Sequence, residues 1–233
     1  MKTGRTDSFW PSYTDLMTSL FFVMLVLFVL VFARQHAQIQ NLKQKLAIIQ
    51  AVEENLKPLK SDTALFSYEE QYKRFKLSFN VKFRFDKYNI NAEELEGFYT
   101  TSPKIEQAGR QLKSIIDTLK QRKTNTGALR DVSYILVIAG YASKPPGWAS
   151  NWNWHNPNWI KVEQHNYDLS YHRAWSLRDY WRSKGIDFES KDYRGLIDLQ
   201  ISGNGWGGVG RLETEDDNQR FLIQIFPKIG DIK

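Results

Sequence analysis

With 233 residues, the chain has room for one membrane anchor and one modest globular domain, and not for two domains of typical size. A net charge of +6 permits contact with an anionic surface, but the 32 Lys and Arg are dispersed among 26 acidic residues with no nucleic-acid motif beside them, which speaks against nucleic acid as a partner. Disulfides and thiolate chemistry are excluded because there is no cysteine, so 14 Phe, 11 Tyr and 8 Trp must carry much of the burial.

Residues 16–33, LMTSLFFVMLVLFVLVFA, carry no charge and follow Trp10, Pro11, Tyr13 and Asp15. About 20 residues at 1.5 Å each cross a hydrocarbon core of roughly 30 Å, so this run reads as a transmembrane helix. A cleaved signal peptide is the competing reading. The run exceeds the usual apolar length of such a peptide, ends at VFARQHAQ without a small-x-small site, and passes straight into helix-forming sequence. Charge balances across the span, with Lys2 and Arg5 before it and Arg34, Lys43 and Lys45 after it. Asp15 is a residue that a plain anchor does not need. A carboxylate at the edge of hydrocarbon is a candidate for a proton or ion path, with Tyr13, Thr14, Thr18 and Ser19 as polar neighbours, or else a helix-start cap in the headgroup region. Position alone leaves both open.

Ile39, Leu42, Leu46, Ile49, Glu53 and Leu56 follow at alternating spacings of three and four, the pattern of a short coiled coil interrupted at Glu53. Pro58 and Ser61-Asp62 end it, and residues 61–74 read as a linker. From Phe75 to Phe85 apolar and polar residues alternate strictly, which predicts one half-buried strand. Residues 104–122 place Ile105, Ala108, Leu112, Ile115, Ile116 and Leu119 on one helical face, and SYILVIA, residues 133–139, is an interior strand.

Residues 141–168 hold three Pro together with Trp148, Trp152, Trp154 and Trp159, and are expected to form a long irregular loop. Those rings either stack on a sugar or pack the loop onto its own domain. A helix over residues 169–184, capped by Ser170 and stopped at Gly185, precedes two strands over 194–201 and 220–226. Two helices on one face of a mixed four-stranded sheet make a two-layer α/β sandwich, an α+β domain.

Four segments in order carry a resemblance to the OmpA/MotB C-terminal domain. They are Gly140-Tyr141-Ala142-Ser143 in place of Gly-His-Thr-Asp, NYDLSYHRA (166–174) for Asn-x-x-Leu-Ser-x-x-Arg-Ala, SGNGWGG (202–208), and NQR (218–220) for Asn-Arg-Arg. The resemblance implies an OmpA-like domain over residues 75–228 that binds peptidoglycan. In that family an Asp and an Arg hold the diaminopimelate of the peptide stem. Arg173 matches the Arg, whereas the Asp position is Ser143, which cannot neutralise an ammonium. Asn166 and Asp168 join the expected peptidoglycan-binding set, with Asp168 as a substitute acid.

Tyr13-Thr14-Asp15 and the span resemble the MotB-like stator subunits, which include ZorB of the Zorya antiphage system. That resemblance implies Asp15 as the proton-carrying residue, a homodimer within five copies of a MotA-like multi-pass partner, and single-pass placement in the bacterial inner membrane. The cytoplasmic tail would be residues 1–10, the span 11–33, the juxtamembrane coiled-coil helix 34–60, and the C-terminal tail 229–233. The domain would be periplasmic, and the transported ion H+. Flagellar rotation, gliding and phage defence share this architecture, and the compact juxtamembrane segment lies closest to ZorB.

Other chemistry finds little support. His36, His155, His165 and His172 have no metal-ligand spacing, and SGNGWGGVG lacks the Lys-Ser/Thr of a phosphate loop and fits a turn with positive φ. No hydrolytic constellation is present, so the chain is not expected to be an enzyme or to need a cofactor.

Overall fold

A helix facing lipid is apolar all round, whereas one facing water keeps a polar side. In the computed structural model, which describes residues 9–61, 63–125, 132–144, 157–207, 214–215 and 218–229, α1 (Phe9–Asn55) runs unbroken through the apolar stretch and the heptad segment. Residues 16–33 of α1 cover about 27 Å at 1.5 Å per residue, close to the thickness of a hydrocarbon core. Every one of them is exposed, as are Ile39, Leu42 and Leu46 of the coiled-coil pattern. The chain divides into two units, one ending at Ala47 and one beginning at Ile48. Ile48, Leu56 and Leu59 are buried in the core of the second unit, which α2 (Lys57–Ser61) continues.

The expected linker at 61–74 holds a strand instead. β1 (Phe66–Glu69) and β2 (Arg74–Leu77) form an antiparallel hairpin around a 3-10 turn, Glu70–Tyr72. β1 is too short to declare a period, and Phe66 earns its place by edge-to-face packing on Phe75, 6.3 Å between ring centroids. The strand expected from Phe75 to Phe85 also ends early, at Leu77. Its alternation persists as burial, with Val81 and Phe83 inside and Lys82 and Arg84 outside, while Phe83 pairs with Leu95 in a single bridge and Phe85 is 82% exposed. Period two thus reports which side chains turn inward, and not which strand the backbone pairs with.

The amphipathic helix α3 (Phe98–Asn125) extends beyond the expected 104–122 at both ends. β3 (Val132–Gly140) follows the expected interior strand. α4 (Pro157–Ser183) begins well before the expected residue 169. Proline suits the first helical position because its φ is already helical and its missing N–H would have had no partner. Residues 157–168 are therefore helix rather than loop, and Ser170 lies inside the helix rather than at its cap. Trp148, Trp152 and Trp154 lie outside the described residues. β4 (Ile197–Gly203) and β5 (Phe221–Ile229) complete a five-stranded sheet in the order β1-β2-β5-β3-β4. β3 and β4 are parallel and joined through α4, and the other pairs are antiparallel. Both long helices share one core with the sheet, where buried Trp181 of α4 donates from Nε1 to the Ile105 carbonyl of α3 at 2.8 Å. The two-layer arrangement expected from the sequence is present, with β1 as an added fifth strand.

α4 crosses the sheet at a point where no side chain fits. Gly140 and Gly203 are paired at the ends of β3 and β4. A Cβ on Gly140 would stand 2.1 Å from the Ser170 carbonyl oxygen, and one on Gly203 would stand 2.6 Å from that of Tyr167. The helix therefore lies backbone to backbone on the strand ends. Ser170 Oγ seals the crossing, donating to the Tyr167 carbonyl and accepting from the Gly205 N–H, both at 2.8 Å. Gly205 has the positive φ of 57° expected of this turn, and its carbonyl accepts from the Ala142 N–H at 2.8 Å. Gly140→Ala must push α4 off the sheet, and destabilisation by about 3 kcal/mol is expected, the upper range for overpacking. Denaturant unfolding of the full chain in detergent micelles should show the midpoint fall with little change in slope.

Candidate functional site

The crossing fixes what the following turn of α4 can reach. Arg173 lies three residues after Ser170 and is 3% exposed. Its Nε donates to the Lys87 carbonyl at 3.1 Å and its Nη1 to the Tyr141 carbonyl at 3.2 Å, just beyond the end of β3. The guanidinium also lies over the Phe83 ring, 4.6 Å from its centroid. Ala174, next in the chain, is fully buried beside Gly140, where its backbone nitrogen would lie 3.1 Å from an added Cβ. The Leu-Ser-x-x-Arg-Ala pattern is thus a crossing device: the serine fastens, the alanine permits close approach, and the arginine is delivered to the end of β3.

No carboxylate lies within 4 Å of that guanidinium among the described residues, and Nη2 makes no hydrogen bond to any of them. Burial brings the Arg173 pKa down to about 10, against the opposing pull of the Asp86 charge. It stays cationic at neutral pH. Holding that charge inside costs the fold roughly 3 kcal/mol, which an incoming anion would partly recover.

Arg173 lines a cavity of about 370 Å³ together with Ser143, Asn166, Asp86, His165 and Glu215. Ser143, Asn166 and Arg173 were expected at one site and are brought together there. Asn166 is almost wholly buried, and its Nδ2 donates to the Val162 carbonyl at 2.9 Å. Asp168 is exposed on α4 and is not among the residues lining the cavity.

Acid reaches the cavity from three other places, one of them Glu96, which pairs with Lys82 at 3.8 Å. Asp86 sits at a reversal with φ of 58°, which aspartate tolerates, and its Oδ1 is 2.5 Å from His165 Nε2. Glu215 accepts from the Lys144 N–H at 2.7 Å, one residue beyond Ser143. Sequence reasoning did not assign these acids to the site, nor Gln219, whose Oε1 accepts from the Phe83 N–H at 3.0 Å and holds the cavity wall. Two of them left a signal, Asp86 as the polar residue that closes the phenylalanine alternation and Gln219 as the middle of the NQR segment.

No family model matches the chain, and no curated protein does. Solved structures similar to it include a putative MotB-like protein from Desulfovibrio vulgaris, at 14% identity over 78% of this chain and 98% of that one, with a TM-score of 0.36. An OmpA-like domain from Francisella tularensis matches at 20% identity over 70% of this chain and 77% of that one, with a TM-score of 0.32. The cell wall anchor of the type VI secretion system (T6SS) from Pseudomonas aeruginosa matches at 13% identity over 77% and 97%, with a TM-score of 0.33. These likenesses are distant, and the chemistry of the cavity stands on its own atoms.

The other expected set lies on α1. Tyr13, Thr14, Asp15, Thr18 and Ser19 are all exposed, and Tyr13, Thr14 and Thr18 share a shallow cleft with Met17 and Phe21. Thr18 Oγ1 donates back to the Thr14 carbonyl at 2.7 Å, the self-satisfied arrangement open to a helical threonine. Asp15 and Ser19, one turn apart, share a face of the helix.

The wall of the Arg173 cavity is itself fastened by a carboxylate. Glu94 accepts from the Tyr88 and Asn89 N–H groups at 3.1 and 2.9 Å and from Asn89 Nδ2 at 2.8 Å. Burial alone would raise its pKa, but these donors outweigh burial and hold it below the ordinary 4.5. A depressed carboxylate pKa stabilises above its unfolded value and loses that contribution as pH falls through the folded one. Protection of the Tyr88 and Asn89 amides from exchange, corrected for intrinsic rates, should therefore hold at neutral pH and fall as pH drops below 4.5. Glu94→Gln should abolish the pH dependence.

Proposed function

We propose that this chain is a membrane-anchored protein that grips the peptide stem of peptidoglycan at the Arg173 cavity and works as the ion-carrying stator subunit of a MotA/MotB-like motor. The observation that carries the wall-binding part is the buried Arg173 cation, which lines an open cavity and has no carboxylate within 4 Å among the described residues. A stem carboxylate would complete it through a charge-assisted, two-pronged pair. An ammonium on the same ligand would fall to Asp86 or Glu215, taking the place of the acid that Ser143 lacks. The cavity is thus suited to a group bearing both charges, as the free end of diaminopimelate does.

The motor part is supported by Asp15 at the mouth of an apolar span that is exposed on every side. Protonation there would remove a charge at the hydrocarbon edge and change the contacts of the helix with a surrounding MotA-like pentamer, and release on the far side would reset it. The exposed Leu42 and Leu46 fit pairing of two copies inside that pentamer. Inner-membrane placement with a periplasmic domain follows from this reading, as does H+ as the ion. Phage defence of the Zorya type is the process favoured here.

Cosedimentation of the full chain with purified sacculi tests the first part. Arg173→Ala should lower retention at least about tenfold, as expected for a desolvated charged contact. Equal retention of wild type and variant would place wall binding elsewhere. For the motor, Asp15→Asn should leave assembly with the multi-pass partner intact and abolish proton flux into vesicles. Undiminished flux would overturn Asp15 as the ion carrier, and absence of flux in the wild type would leave a passive anchor.

A further inference from the structure

The segment of residues 86–91 has a second side. Arg173 Nε holds the Lys87 carbonyl on one side, while His172, the preceding residue of α4, packs its ring on Tyr88 with centroids 5.0 Å apart. Tyr88 and His172 line a separate cavity of about 300 Å³ with Trp175, Asn89, Asn91 and Asp179. Tyr171 extends the aromatic surface, 6.0 Å from the Trp175 ring and 5.8 Å from that of His172. Tyr88, Tyr171 and Trp175 remain 38 to 39% exposed, outside the domain core.

The surface is held in place. Arg178 lies over the Trp175 ring at 4.5 Å and is itself fixed by Glu189 and Asp179. Ser176 Oγ accepts from the Ile90 N–H at 2.9 Å, and Glu94 clamps the Tyr88 and Asn89 amides, so the segment is fastened from both directions. Asn91 Nδ2 and Asp179 Oδ2 make no hydrogen bond to any described residue. No lysine or arginine lines this cavity among the described residues, in contrast to the one beside it.

We infer that this cavity is a saccharide subsite that takes a neutral pyranose ring of an amino-sugar chain. A pyranose has one face of C–H groups, which an aromatic ring removes from water, and an equatorial rim of hydroxyls, which a carboxylate and an amide can bind. Rings, a carboxylate whose charge Arg178 already pairs, and amides match that chemistry, and that cation is engaged with Glu189 and Asp179 among the described residues. The volume, at the low end of ligand pockets of roughly 300–1,000 Å³, suits one or two sugar rings. The choice of occupant rests on the wall-binding reading: a polymer whose peptide stem enters the Arg173 cavity carries its glycan past the other side of the same segment. The saccharide chemistry of the cavity does not depend on that reading.

The test uses the full chain in a sugar-free zwitterionic detergent, with chitotetraose, a peptide-free chain of N-acetylglucosamine, as the probe. Saturation-transfer NMR and calorimetry should detect binding. Tyr88→Ala combined with Trp175→Ala should weaken it at least about tenfold. Asp179→Asn should weaken it less, at unchanged near-ultraviolet circular dichroism, which keeps the test independent of misfolding. Arg173→Ala should lose sacculi yet keep measurable chitotetraose binding, weakened less than in the Tyr88/Trp175 double variant because only the Nε bond to the Lys87 carbonyl behind the subsite is lost. If wild type gives no transfer, or if the double variant binds equally well, the subsite is wrong. If Arg173→Ala instead retains sacculi, the peptide-stem reading fails while the saccharide result still decides the subsite.

Discussion

Ser170 and the two glycines beneath it are the constraint on which the rest of the site depends. Because Gly140 and Gly203 have no side chains, the α4 backbone settles directly on the ends of β3 and β4, and the serine hydroxyl locks it to the turn at Gly205. A helix held at that distance has little freedom to rotate or slide, since either motion drives a carbonyl into a strand. Arg173 inherits this precision, and so does Trp181, two turns further along, which sets the spacing of α4 from α3 through its bond to the Ile105 carbonyl. One close contact therefore fixes both the helical layer and the position of the buried cation.

Arg173 differs from the other buried arginines of the fold in how its charge is met. Arg74 and Arg220 are also buried, and both meet Glu69, with Arg74 Nε at 2.6 Å and Arg220 Nη1 at 3.6 Å from its carboxylate. Those charges are compensated within the fold and tie β2 and β5 to the β1 edge. Among the described residues Arg173 is touched by two carbonyls and a phenyl face, which orient it without neutralising it, while the Asp86 charge acts on it from beyond 4 Å. A charge kept without a paired carboxylate at some expense of stability is what the proposed peptidoglycan-binding role of this residue would require.

How much of this was legible in the sequence depended on distance along the chain. The α3 face, the β3 run and the apolar span declare themselves through local period. Asn166 and Arg173 come within reach of Ser143 because a single spacing pattern carries the crossing. What stayed hidden came from pairing over long range. FSYE has no period to reveal β1 until RFKL folds back on it. The alternation from Phe75 to Phe85 is genuine in burial but carries no information about where the ladder stops. Asp86 and Glu215 lie 129 positions apart and converge only when Gln219 draws the Phe83 segment against the start of β5, so the acid missing at residue 143 could not have been found nearby in sequence.

The segment from Asp86 to Asn91 is a partition between two cavities, fastened through Lys87, Ile90, and the amides of Tyr88 and Asn89. Ligands bound at the two proposed sites, one on each face, would therefore be thermodynamically linked. A ligand that draws Arg173 away from the Lys87 carbonyl loosens the wall against which the other rests, while one that leaves the bond intact stiffens that wall. Reciprocity requires the second occupant to act on the first by the same factor. A branched polymer touching both faces at once would also gain the effective concentration of a tethered pair, so that two individually weak contacts could hold against load.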